Sequence, residues 1–142
     1  MLGIEQEPNA DGAVLADDHL AHVAGLVAVT PAAGYIGPAS ALALGALGAV
    51  PSYFALIYRA RTTLDDSLDV VAAHGLGGAT GAVLTGVFAD PAWSGGPAGW
   101  IAGHPQQILT QVASIAAVAA YSGVGTLIIL KGLALVMPLR IN

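Results

Sequence analysis

The sequence is short of charge. Only 9% of its 142 residues are Asp, Glu, Lys or Arg, against roughly a quarter in an ordinary soluble domain. It has no cysteine, which excludes a disulfide framework, a thiolate nucleophile and a cysteine-ligated metal site. The basic residues are four, Arg59, Arg61, Lys131 and Arg140, and they form no patch that would meet a nucleic acid backbone. Also missing are a glycine-rich phosphate loop with its lysine, a nucleophile elbow, and a carboxylate pair inside the apolar stretches. The sequence does not read as an enzyme.

What is present is apolar surface and glycine. Hydrophobic residues make up 56% of the chain and glycines number 19. A soluble, wholly buried core is the lesser alternative; a membrane protein fits better, because lipid gives helices no hydrophobic reason to associate and small residues must supply close packing. The expected fold class is all-α, a polytopic membrane protein of about four transmembrane helices. The net charge of −5 arises mainly from the first 18 residues and from Asp65, Asp66 and Asp69. Residues 1–19 read as an acidic, disordered cytoplasmic lead-in without the features of a secretory signal, and residues 20–142 as the transmembrane domain.

Between Leu20 and Tyr58 no residue carries a fixed charge, too long a run for one crossing of about 20 residues. Two prolines and two glycines in "TPAAGYIGP", Thr30 to Pro38, predict a turn within it. The spans then run from about His22 to Ile36, from about Ala39 to Tyr58 with a kink at Pro51, from Val70 to Ala89, and from about Ile108 past Leu130. Between the last two lies the Gly/Pro-rich "DPAWSGGPAGWIAGHPQQ", with Trp93 and Trp100 as expected interfacial aromatics. All four basic residues fall on one side of these spans, which by the positive-inside rule is cytoplasmic. Both termini are expected there.

The third span begins "DDSLDVVAAHGLGG", Asp65 to Gly78. His74 stands about 12 Å from Asp66 along a helix, near mid-membrane, where an ionisable side chain belongs in a bundle interior or on a water-lined path. Two roles stay open for it on these residues alone: a neutral histidine holding one hydrogen bond to another helix, or a pore wall. Gly77 and Gly81 follow at the spacing that lets another helix approach closely. His104 reads as a solvated loop histidine. Gln107 and Gln111 read as caps or hydrogen-bonding groups at the start of the last span, and Tyr53, Tyr58 and Tyr121 as packing or interfacial residues.

With "AGLVAVTPAAGYIGP" (Ala24 to Pro38), "GVFA" (Gly86 to Ala89) and "TLIILK" (Thr126 to Lys131), the stretch around His74 resembles the ammonium transporter family (Amt/Mep/Rh). The likeness covers about Ala21 to Arg140 and corresponds to that family's last four transmembrane helices. It implies that His74 is the second of two pore histidines facing each other, with Val70 facing the same path. It implies too that Asp69 shapes the helix end and pore; helix capping is the alternative for Asp69, and its position supports both. Ammonium or ammonia is the implied substrate, a homotrimer in the plasma or inner membrane the implied assembly. No cofactor is expected.

Departures from the family are substantial. Members have about eleven such helices, so an N-terminal portion of seven, carrying the other histidine, has no counterpart here and becomes an expected partner. "LADDHLAHVAGL" puts Asp17, Asp18, His19 and His22 where the family has small apolar residues. A solvated helix start explains them better than a metal site with two imidazoles, and no metal is expected. Beyond "PLRIN" the tail by which many members meet a PII-type regulator has no counterpart, so regulation by that route is not expected. Two functions follow: ammonium transport as the C-terminal part of a channel, or a non-conducting scaffold, decoy subunit or degraded remnant.

Overall fold

The computed structural model describes residues 22–60, 62 and 70–137. Asp69, the acidic lead-in, and Asp17, Asp18 and His19 lie outside them. The described residues are helical, with no strand among them. Helix α1 is His22–Ala32, its last turn Thr30–Ala32 tightened to a 3₁₀ helix. Helix α2 is Pro38–Ala60. Helix α3 is Val71–Phe88, a π-helical turn Val71–Leu76 followed by a regular segment Gly77–Phe88. A short α4, Pro91–Ser94, sits in the connecting loop, and α5 is Gln106–Ala134.

By length and composition α2, α3 and α5 can each cross a membrane, whereas the described part of α1 is shorter, about 16 Å at about 1.5 Å per residue. Three candidate spans and one shorter apolar helix thus stand where four spans were expected. The chain turns where its prolines and glycines predicted. Pro31 opens the 3₁₀ turn, Gly34 takes a φ of +82° that a side chain would disfavour, and Pro38 starts α2 where its missing N–H costs nothing. Helix α2 continues through Pro51. Helix α5 extends through Lys131 to Ala134, about 44 Å long, which exceeds a hydrocarbon core of about 30 Å and implies tilt or projection beyond it.

The helices meet through residues with almost no side chain. Ala24, Ala28 and Ala32, four apart on α1, have no solvent-exposed surface. On one side of this stripe a Cβ at Gly48 of α2 would collide with the Ala28 methyl, and on the other a Cβ at Gly81 of α3 would collide with the Ala28 backbone. Above and below, Gly25 faces the Gly45 carbonyl, and Gly77 faces the Ala24 carbonyl; an added Cβ would stand 3.1 and 3.2 Å from them. The Gly77/Gly81 pair therefore does what its spacing implied. Gly86 plays the same part toward α5, where a Cβ would lie 3.0 Å from the Gln107 carbonyl and 3.1 Å from Gln111 Cγ. Ile36 and Leu44 complete the core, with Leu84 and Phe88 packed against it.

These contacts separate two classes of glycine. Gly81→Ala should lower thermal stability in detergent markedly, since backbone must move. Gly123→Ala on α5, with no atom within 4 Å of the added Cβ, should be neutral or stabilising by up to about 1 kcal/mol through helix propensity. Equal melting temperatures for the two variants would show that α1 and α3 do not cross this closely.

Candidate functional site

The π turn decides what α3 presents. At about 100° per residue in a regular helix, His74, Gly77 and Gly81 are related as i, i+3 and i+7 and would share one face. That face is closed by α1, so an unbroken α-helix would press the imidazole into a gap sized for glycine. In the wider turn Val71–Leu76 the register shifts. Ala72 and Ala73 are buried instead, and His74, Gly75 and Leu76 are exposed. Val70, directly before the turn, is 49% exposed. The structure thus brings His74 and Val70 onto surface that this chain leaves open. Asp69 falls outside the described residues.

Behind the turn lies Ser52 of α2, which no sequence signal marked. Its side chain is fully buried, and its Oγ has no hydrogen-bond partner among the described residues. A Cβ at Gly77 would stand 3.3 Å from that oxygen. The Gly77 N–H in turn donates to the His74 carbonyl, so Ser52 abuts the residue that closes the histidine's turn.

The far end of α3 is held by the Gly/Pro-rich loop. Carbonyls of its last turn and of the residue after it are taken by loop N–H groups: Trp100 donates to Gly86 (2.9 Å), Ile101 to Val87 (3.1 Å) and Gly99 to Ala89 (2.7 Å). The Asp90 N–H donates to the Tyr35 carbonyl (2.9 Å), and the Asp90 carboxylate accepts from the Ala92 N–H (2.9 Å), capping α4. Asp-Pro ahead of a helix is a capping signal, legible in "DPAWS" though not singled out above. Trp93 and Trp100 are exposed. His104 is exposed and borders a hollow of about 410 Å³ with Gln107, while Tyr53, Tyr58 and Tyr121 face outward. Among the described residues no three His, Asp or Glu side chains gather as metal ligands would.

The Ammonium Transporter Family profile matches residues 17–142. The chain belongs to the ammonium transporter family. It is 44% identical over 121 residues to an ammonium transporter of Aquifex aeolicus, covering 84% of this chain and 28% of that protein. To ammonium transporter Amt1 of Archaeoglobus fulgidus it is 37% identical over 120 residues, covering 84% and 30%. Its fold is similar to the crystal structure of Candida albicans Mep2, with a TM-score of 0.71 and 37% identity over 80% of this chain and 26% of that one. Saccharomyces cerevisiae Mep2 gives 0.70 and 36% over 78% and 26%. The chain therefore spans less than a third of the length of these relatives. Membership of this family and the apolar helices together make it an integral membrane protein.

Because the chain has no native cysteine, the two sides of the π turn can be told apart chemically. In the detergent-solubilised chain His74→Cys should react readily with a small thiol reagent, and Ala73→Cys, at a fully buried position, many times more slowly. Comparable rates at both positions would contradict the wide turn.

Proposed function

We propose that residues 20–142 supply one wall of an ammonium or ammonia pathway, with His74 and Val70 lining it. The observation that carries this is the orientation of His74, turned outward by a π turn while its neighbours Ala72, Ala73 and Gly77 are buried. An ionisable residue at mid-membrane is costly against lipid, so the open face calls for a facing wall. An N-terminal seven-helix portion, in the same polypeptide or a second chain, is the proposed facing wall, with a homotrimer as the assembly. Asp69 shapes or caps the start of α3, and residues 1–19 form a cytoplasmic lead-in.

The residue types suit the task. Ammonium and potassium ions are similar in size and charge, so discrimination needs what only ammonium can do: donate hydrogen bonds or lose a proton. Imidazole offers an acceptor nitrogen and can take up a proton. Val70 beside it presents no oxygen to replace the water of a metal ion, which keeps hydrated cations out.

Methylammonium uptake in cells stripped of their own ammonium transporters tests the proposal. Uptake is expected when this chain is made together with the seven-helix portion, is expected to be absent with the chain alone, and should change with His74→Ala in the pair. Robust uptake by the chain alone, or an unaffected His74→Ala pair, overturns it. Membrane orientation is tested separately. Ser94→Cys should react with an impermeant thiol reagent on intact cells and Thr62→Cys only after permeabilisation; the reverse pattern means both termini face outward.

A further inference from the structure

The buried hydroxyl of Ser52 has no role in the packing described above. It lies where α1, α2 and α3 meet, with no exposed surface and no hydrogen-bond partner among the described residues. A buried hydroxyl without a partner has given up its hydrogen bonds to water for nothing, and alanine would fill the same space without that cost. Its surroundings say what it can act on. On α3 it faces Gly77, where an added Cβ would stand 3.3 Å from Ser52 Oγ, and Gly77 closes the π turn through its N–H to the His74 carbonyl. Helix α2 packs along that same turn. Wide π turns are uncommon and recur at functional sites, and this one alone keeps His74 off the face it would share with Gly77 and Gly81.

We infer that Ser52 is a positioning residue for His74: its hydroxyl donates a hydrogen bond to a backbone carbonyl on the buried side of the Val71–Leu76 turn when the facing wall closes over the open side. This rests on His74 lining the pathway. The bond holds the turn in its wide register from behind and so fixes the direction of the imidazole. Ser52 touches no substrate.

The test uses the chain together with the seven-helix portion and reads the ratio of methylammonium to rubidium uptake, with assembled protein quantified in each case. Ser52→Ala should lower the ratio about fivefold, what one ordinary hydrogen bond supports, at an unchanged amount of assembled protein. Ser52→Thr, which keeps the hydroxyl, should restore it. In a His74→Ala background Ser52→Ala should change nothing further, as expected when two residues act through one structure. An unchanged ratio in Ser52→Ala, a loss of protein without a change in ratio, or an equal drop with and without His74 overturns the role of Ser52. An unchanged ratio in His74→Ala alone overturns the pathway reading first, so the two failures are separable.

Discussion

The contact on which this structure depends is the one around Ala28. Its methyl meets the backbone of Gly48 and its own backbone meets Gly81, so three helices come together with one methyl group between them. In water such a junction would be a minor part of a hydrophobic core. In lipid, where tails solvate a leucine as well as another leucine does, helices associate through close van der Waals packing and polar contacts. The placement of α3 is then set less by side chains it carries than by those it lacks at Gly77 and Gly81, while the π turn ahead of them decides which way His74 faces.

That placement explains the division between what could and could not be read from the residues. The spans were legible because fixed charge is absent from them and because Pro31, Gly34 and Pro38 punctuate the first two. The role of Gly77 and Gly81 was legible because spacing alone brings both to one helix face. The direction of His74 was not. Regular periodicity puts it on the glycine face, and the π turn that removes it follows from burying Ala72 and Ala73 together, a demand of tertiary packing that no local pattern announces. Ser52 was invisible for a related reason: a serine after a proline in an apolar helix looks like any small residue until its neighbours are known. Asp69 lies outside the described residues, so both of its readings stand as they did.

The loop after α3 contributes rigidity that its composition conceals. Gly/Pro-rich sequence suggests slack, yet the N–H groups of Gly99, Trp100 and Ile101 take up carbonyls at the end of α3, and the Asp90 N–H reaches back to Tyr35 beyond α1. Carbonyls at a helix end have no partner within the helix, and here the loop N–H groups supply one. Helix α3 is thus anchored at its Phe88 end by the loop and along its middle by Ala28.

Exposure of α5 and of the His74 face have different meanings. No residue of α5 is buried, but its outward side chains, such as Val124, Leu127 and Ile128, are apolar, and lipid accepts them at no cost. An imidazole differs, because its nitrogens keep a hydrogen-bonding demand that lipid tails do not meet. Bare bilayer therefore satisfies the open surface carrying His74 less well than it does the apolar outside of α5. In the proposed pathway a facing wall covers that surface, and the π turn, which buries Ala72 and Ala73 together, is what leaves His74 available to it.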